Sequence, residues 1–266
     1  MSIKFGIIGG TGVYDPQIWQ ATREQTVPTK FGSVLVQVGS YNGKEIAFLP
    51  RHGANHSVPP HLINYRANIL AMQTLGVQKI VATAAVGSLN PAMAPGDFVL
   101  VDQFMDFTKQ RPLTFYEGGE QGVVHIDLTE PYCSELRAVL KSAARATSLR
   151  VLEGGNYVCT EGPRFETPAE IRMYRLLGGD LVGMTSVPEV VLAREAEICY
   201  ATVAMVTNFA AGISPTNLTH SEVVETMNQN NDNLRNLVMK TMEIITEERN
   251  CPCQFALQEL GTLGNQ

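Results

Sequence analysis

No cluster of basic residues stands out in this chain of 266 residues. Its twenty lysines and arginines are outnumbered by twenty-six aspartates and glutamates, giving a net charge of −6 at pH 7. Nucleic-acid-binding proteins usually carry a basic patch or stripe, so we exclude nucleic acid as a partner. Only 17% of the residues are charged and 44% are apolar. This balance favours a single domain, which we expect over residues 1–250, with a loosely held C-terminal tail at 251–266.

A signal sequence or membrane span is not evident at the N-terminus. The apolar run at residues 3–8 meets Gly9 and Gly10 at once, and it is too short for either kind of segment. We therefore expect a cytoplasmic protein with no membrane partner.

Cysteine is also scarce, and the number of cysteines is odd. Five cysteines spread through a chain of this length do not form the framework of a small secreted disulfide-bonded protein. Cys251 and Cys253, separated only by Pro252, could form a tight disulfide or contribute to a metal site. Free thiols are the interpretation that we prefer.

The common signatures of covalent and metal catalysis are missing. The sequence has no G-x-S-x-G and no H-E-x-x-H motif, and among its five histidines only His52 and His56 are four residues apart, in a segment that we expect to be a loop. We expect no metal. A bound phosphate then becomes the candidate nucleophile.

Apolar runs alternate with segments of helical periodicity along most of the chain. A hairpin is predicted around Asn42-Gly43, because Asn-Gly favours the two-residue turns that join paired strands. Further strands are expected at residues 3–8, 79–85, 97–102, 181–184 and 198–208, and helices at 63–75, 131–146, 168–177, 188–197 and 221–249. The order predicts an α/β domain with a central mixed, largely parallel sheet covered by helices on both faces.

Groups suited to an oxyanion follow several predicted strands. The turn at residues 9–12 can present backbone N–H groups to an anion, although it lacks the third glycine of a dinucleotide-binding motif. Arg51 and His52 follow the second hairpin strand, and hydroxyl residues end others, including Thr11 and Thr185. A guanidinium, an imidazole and several hydroxyl or backbone donors suit a phosphate.

Glu166 and Asn208 are the most informative polar residues. Each lies at the end of a segment that is predicted to be buried. A carboxylate only accepts hydrogen bonds, whereas an amide both donates and accepts. The pair is suited to reading the edge of a planar polar ring.

Seven motifs together resemble one known family. They are G-G-T-G at 9–12, R-H-G at 51–53, T-A-A-V-G-S-L at 83–89, R-P-L-T-F-Y at 111–116, E-G-P-R-F-E-T at 161–167, G-M-T-S-V-P-E at 183–189 and T-N at 207–208. In this order they resemble the trimeric purine nucleoside phosphorylases and methylthioadenosine phosphorylases. The resemblance implies a nucleoside phosphorylase fold and phosphorolysis of a purine nucleoside, without a metal or an organic cofactor.

The resemblance also implies a role for particular residues. It assigns catalysis to Asn208 and His52. It assigns phosphate binding to Thr11, Arg51, His52, Ala84 and Thr185. Ala84 stands where the methylthio branch has Thr, so only its backbone N–H can serve. The implied substrate contacts are Ala85, Tyr157, Phe165, Glu166, Met184, Asn208, Phe209, Ala210 and His220.

Three positions bear on which nucleoside is cleaved. By resemblance, the methylthioadenosine branch has Ser at Glu166, Asp at Asn208 and an apolar residue at His220. Glu166 and Asn208 complement a 6-oxopurine, and His220 suits a 5′-hydroxyl. The segments around 111–116 and His125 resemble the methylthio branch instead, in which the residue at His125 reaches a neighbouring subunit.

We therefore predict phosphorolysis of inosine and guanosine in purine salvage, by a homotrimer or a dimer of trimers. A methylthioinosine or methylthioadenosine phosphorylase is the alternative within the family. A nucleosidase, which uses water, and a non-catalytic nucleotide-binding protein are the alternatives outside it.

Overall fold

The structure is a computed structural model that describes residues 3–9, 20–53, 57–147, 149–214 and 219–258, except for the side chains of residues 121, 220 and 222. The strands are β1 (Phe5–Gly9), β2 (Gln20–Val27), β3 (Val34–Tyr41), β4 (Lys44–Pro50), β5 (Lys79–Ser88), β6 (Phe98–Leu100), β7 (Gln103–Phe107), β8 (Val151–Glu153), β9 (Asn156–Thr160), β10 (Leu181–Gly183) and β11 (Cys199–Phe209). The helices are α1 (Tyr65–Thr74), α2 (Ser134–Thr147), α3 (Pro168–Leu176), α4 (Ser186–Glu195) and α5 (His220–Ile244), with short 3-10 helices at Pro60–Leu62, Gly119–Gln121 and Pro252–Phe255.

One mixed sheet contains all of these strands. Its main path runs β2-β3-β4-β1-β5-β10-β9-β7, and β11 pairs with both β5 and β6, while β8 adds to β6. The pairs of β1 with β4 and β5, and of β5 with β11, are parallel, whereas β2, β3 and β4 form antiparallel pairs. The predicted α/β fold with a mixed central sheet is confirmed.

The two central strands alternate their side chains between the faces of the sheet. On β11, Tyr200, Ala204 and Val206 join a core with α1 and α4, whereas Cys199, Ala201, Val203 and Met205 join a core with α2 and α5. Successive strand residues point to opposite faces, so a strand buried on both sides reads as a continuous apolar run. Helices therefore cover both faces of the sheet, as predicted.

The hairpin and the first long helix agree with their sequence signals. Asn42 and Gly43 have positive φ values of 48° and 75°, as a two-residue turn between β3 and β4 requires. The Asn64 side chain accepts a hydrogen bond from the Ala67 N–H and begins α1, and Gly76, at φ 92°, follows its end.

Several features differ from the expectation, among them the strands β2, β7, β8 and β9, which were not predicted. β2 was not predicted because its sequence, Gln-Ala-Thr-Arg-Glu-Gln-Thr-Val, is exposed over most of its length and has no apolar period. α5 ends at Ile244, five residues before the predicted end, and beyond it the carbonyls of Ile245 and Glu248 accept hydrogen bonds from Lys44 of β4 and Lys79 of β5.

The chain after Arg249 is not loosely held as far as the structure describes it. A 3-10 helix begins at Pro252, and Cys251 and Cys253 are buried in the core shared with α2 and α5. The expectation of a loose tail is wrong for this part of 251–266. Among the described residues, no helix is both long enough and apolar enough to cross a membrane.

Candidate active site

A cavity of about 440 Å³ opens where β5, β10 and β11 end. This volume is in the range of small-molecule binding sites. The loop after β4 and the N-terminal half of α5 complete its wall. Glu166 is the only carboxylate among the described lining residues, and Arg51 and His52 are the basic groups there. The two carboxylates that glycoside hydrolysis generally needs are therefore not present on the described wall.

Arg51 is held by a buried carboxylate on α4. Its Nε donates to Glu189 Oε2 at 2.7 Å and its Nη2 to Oε1 at 2.6 Å, while Nη1 donates to the Thr83 carbonyl at 3.0 Å. Tyr200 Oη also donates to Glu189 Oε1. Burial disfavours the guanidinium charge, but the Glu189 carboxylate outweighs it and raises the pKa of Arg51. Since a guanidinium has five N–H groups, others remain on Nη1 and Nη2 for a ligand.

His52 follows Arg51 and is oriented by its own loop. Its Nδ1 lies 2.9 Å from the Val58 carbonyl oxygen. A carbonyl can only accept, so Nδ1 carries the proton in this contact. The prediction that Arg51 and His52 reach one site agrees with their place on the cavity wall. Thr11 and His56 lie outside the described residues.

Thr185 begins α4 and lines the cavity. Its backbone N–H donates to Tyr157 Oη at 3.3 Å. Tyr157 is fully buried beside Gly183, where any Cβ would collide with the tyrosine ring. Tyr157 is not among the described wall residues, although we expected it near the sugar. Its hydroxyl instead holds the turn that contains Thr185.

Arg111 fixes the same turn from another side. This buried guanidinium donates to the carbonyls of Met184, Val187, Thr160 and Glu161 and to Tyr65 Oη. The end of β9 and the turn after β10 are therefore joined through one side chain. Met184 is half-buried, lines the cavity and packs against Gly162.

Asn208 is buried at the end of β11. The Thr207 hydroxyl lies 2.7 Å from Asn208 Oδ1, and Asn208 Nδ2 donates to the Phe209 carbonyl at 2.9 Å. A bulge after Val206 pairs Asn208 with Gly87 of β5, where a Cβ would be only 3.2 Å from Asn208 Nδ2. The amide thus occupies a fixed place that depends on a glycine beside it.

Glu166 is half-buried in the loop between β9 and α3. It accepts a hydrogen bond of 2.7 Å from Thr160 Oγ1. Burial raises the pKa of Glu166, and the hydrogen bond from Thr160 partly opposes that rise. The neighbouring ring of Phe165 is exposed and also lines the cavity.

The remaining predicted residues fall into three groups. Ala84, Ala85 and Ala210 line the cavity. Phe209 is half-buried, but neither it nor the exposed His125 is among the described wall residues. α5 begins at His220, whose side chain is outside the described part of the chain.

Sequence reasoning missed two parts of the site. The first is Glu189, whose complete burial demands a cationic partner. The second is the wall from α5, formed by Val223, Met227, Asn231 and Leu234. Their spacing of four, four and three places them on one helix face, a periodic signal that the sequence does contain.

The family model described as "Phosphorylase superfamily" matches residues 4–243. The chain belongs to the phosphorylase superfamily.

Two similar proteins match nearly the whole of this chain. The chain is 58% identical over 254 residues to a probable 6-oxopurine nucleoside phosphorylase of Moorella thermoacetica, covering 96% of this chain and 98% of that protein. It is 55% identical over 260 residues to the 6-oxopurine nucleoside phosphorylase of Pyrococcus furiosus, covering 96% and 98%.

The methylthio branch of the superfamily is also similar. A probable S-methyl-5'-thioinosine phosphorylase of Methanothermobacter thermautotrophicus is 48% identical over 255 residues, covering 95% of this chain and 88% of that protein. The crystal structure of a methylthioadenosine phosphorylase from an Antarctic soil metagenomic library superposes with a TM-score of 0.91 at 36% identity, covering 97% and 92%.

Proposed function

We propose that the protein is a 6-oxopurine nucleoside phosphorylase of purine salvage. Phosphate attacks the anomeric carbon of inosine or guanosine, the glycosidic bond breaks, and the products are the free base and ribose 1-phosphate. The reaction needs no metal and no organic cofactor, because phosphate is itself the nucleophile.

The observation that carries this proposal is that Arg51 and Asn208 lie beside two different points of β5, one at each end of the cavity. Arg51 Nη1 bonds the Thr83 carbonyl, and Asn208 pairs with Gly87. Four residues of extended strand span about 13 Å. Between the two ends, Ala84 and Ala85 present little side-chain bulk to the cavity. A nucleoside with its base at Asn208 and phosphate at Arg51 fits this arrangement.

The Arg51 end suits an oxyanion. We assign phosphate binding to Arg51, His52, Thr185, the backbone N–H of Ala84, and Thr11. Arg51 is already paired with Glu189, so its N–H groups act mainly as fixed, directional donors. Such preorganised donors need no rearrangement during the reaction.

The charge distribution of the transition state explains why different groups contact the phosphate, the sugar and the base. Glycosidic cleavage develops positive charge on the sugar, which an adjacent phosphate dianion stabilises. The leaving purine gains negative charge, and the Asn208 amide can donate to its N7 and O6 edge. Met184 supplies an apolar surface beneath the sugar.

Glu166 gives the base end its preference for a 6-oxopurine. Thr160 already donates to one of its oxygens, and an ionised carboxylate still has acceptor capacity for the N1–H of inosine or guanosine. A 6-aminopurine has no hydrogen on N1 and would leave the carboxylate facing an acceptor. Sites built to bond a specific group reject an analogue without it by roughly 10⁴–10⁵.

A methylthioinosine phosphorylase is the second candidate, with the same base preference. Val223 and Met227 follow His220 by three and seven residues on α5 and line the cavity. Their apolar side chains favour a methylthio group at the sugar's 5′ end, whereas an imidazole at His220 favours a hydroxyl.

A homotrimer or a dimer of trimers and a cytoplasmic location belong to the same proposal. His125 is exposed on the isolated chain. Its exposure is compatible with a role in a neighbouring subunit's cavity.

The decisive experiment measures base release from inosine, guanosine, adenosine and their methylthio analogues, each with and without phosphate. The proposal expects turnover of inosine and guanosine that requires phosphate. Turnover confined to methylthioinosine would favour the second candidate. Base release without phosphate would make the protein a nucleosidase, binding without turnover would make it a non-catalytic binding protein, and turnover of adenosine but not inosine would overturn the assignment to Glu166 and Asn208.

A further inference from the structure

Four of the five cysteines converge at one point far from the cavity. Cys133 precedes α2, Cys199 begins β11, and Cys251 and Cys253 flank Pro252 in the C-terminal segment. Their Sγ atoms all lie within 4.8 Å of one another, and those of Cys199 and Cys251 are 3.3 Å apart. Each of the four is a buried thiol.

The cluster has the composition of a structural zinc site. Four thiolates around a tetrahedral Zn²⁺, at about 2.3 Å each, lie about 3.8 Å from one another. The observed separations, 3.3 Å between Cys199 and Cys251 and at most 4.8 Å for any pair, are compatible with that value. The single residue between Cys251 and Cys253 is fewer than zinc sites usually have, but the 3-10 helix that starts at Pro252 brings both sulfurs to the same point.

A backbone N–H group is directed at one sulfur of the cluster. The Leu136 N–H of the first turn of α2 donates to Cys133 Sγ at 3.4 Å, and a helix N-terminus stabilises negative charge.

We propose that Cys133, Cys199, Cys251 and Cys253 bind Zn²⁺ as a tetrathiolate structural site. The ion ties the C-terminal segment to the start of β11 and to the N-terminus of α2. The expectation of no metal rested on histidine spacing and did not anticipate that the fold would join Cys251 and Cys253 to two distant cysteines.

The site acts on stability rather than on catalysis. Cys199 and Asn208 are nine residues apart on β11, or about 30 Å of extended strand. Metal binding releases the thiol protons, so zinc affinity should fall as the pH falls. The proposal is independent of which nucleoside the protein cleaves.

The test begins with the unaltered protein, purified with a thiol reductant and without chelator. We expect stoichiometric zinc by elemental analysis, and after exchange we expect cobalt to show the visible bands of tetrahedral coordination and thiolate charge-transfer bands in the near ultraviolet. A strong chelator should lower the Tm and expose the thiols to a thiol reagent.

Variants locate the site. Cys253→Ser and Cys199→Ser should lose zinc, whereas Cys159→Ser should keep it, since Cys159 lies outside the cluster and serine preserves its contacts with Val187. Reduced protein that binds neither zinc nor cobalt would overturn the proposal. The same holds if the four cysteines form disulfides in the purified protein and the protein takes up no zinc after reduction and refolding.

Discussion

The Arg51 end of the cavity holds its charged group rigidly, whereas the other end combines the fixed amide of Asn208 with the lightly held carboxylate of Glu166. Arg51 has a side-chain exposure of 2% and three hydrogen bonds, and its partner Glu189 is completely buried. Glu166 is half-buried, has Thr160 as its one side-chain hydrogen-bond partner among the described residues, and lies beside the exposed ring of Phe165. A rigidly held guanidinium is suited to placing the nucleophile. A lightly held carboxylate allows the specificity for the base to change with few substitutions.

The largest expected effect comes from breaking the rigid end. Glu189→Gln keeps the shape of the side chain but leaves the Arg51 guanidinium buried without its counterion. Removing one partner of a buried ion pair costs about 3–5 kcal/mol. We expect that loss in the free energy of unfolding, measured in urea at fixed protein concentration, together with weaker phosphate binding.

Glu195→Gln is the matched control on the same helix. Glu195 is also buried, but it accepts hydrogen bonds from the neutral Thr114 hydroxyl and Phe115 N–H. Its replacement should cost only about 1–3 kcal/mol. An equal loss in both variants would show that the ion pair does not give this end its rigidity.

The next effect tests specificity at the other end. Asn208→Asp places a carboxylate where a 6-amino group can donate, so the ratio of kcat/KM for adenosine to that for inosine should rise by about 10–100-fold. Asn231→Asp adds the same charge elsewhere on the wall and should leave that ratio unchanged, whatever it does to the rates. No change in the Asn208 variant would remove this residue from base recognition.

A smaller effect is expected from the glycine beside Asn208. In Gly87→Ala the new methyl group would lie 3.2 Å from both Asn208 Nδ2 and Val182 Cγ1, and a displaced amide should lower kcat/KM for inosine by about tenfold. Gly6→Ala is equally crowded, against Val77, but it lies outside the described cavity wall and should reduce stability alone. Unaltered kinetics in Gly87→Ala would mean that the amide position is not critical.

The smallest effect concerns pH. Burial raises the pKa of Glu166, so the acceptor for N1–H is lost by protonation at a higher pH than for an ordinary glutamate. Activity on inosine should decline as the pH falls through that raised pKa, and Glu166→Gln should abolish this decline. The sign for stability is opposite, because a raised folded-state pKa stabilises the fold at low pH and that contribution is lost as the pH rises.

Thr160→Val sharpens the pH test. The Thr160 hydrogen bond lowers the pKa of Glu166, so its removal should move the acid limb to higher pH. Thr114→Val is the control, because the Thr114 hydroxyl donates to Glu195 rather than to Glu166. A limb that moves in the control instead would exclude Glu166 as its source.

Much of the fold could be predicted because its signals are local. Asn42-Gly43 and the apolar runs of β5 and β11 report turn geometry and burial on both faces of the sheet within a few residues. The polar strand β2 could not be predicted, since its backbone is satisfied by β3 rather than by any pattern of its own.

The alternation of strands and helices, the superfamily motifs and the types of groups available to the site can all be recognised in the sequence. Three further features appear only in the folded chain: Glu189 meets Arg51 across 138 residues, α5 contributes to the cavity wall, and four cysteines lie together. These features depend on burial, which changes the partners that a side chain requires. A charge or thiol removed from water depends on partners that only the three-dimensional packing of distant segments can supply.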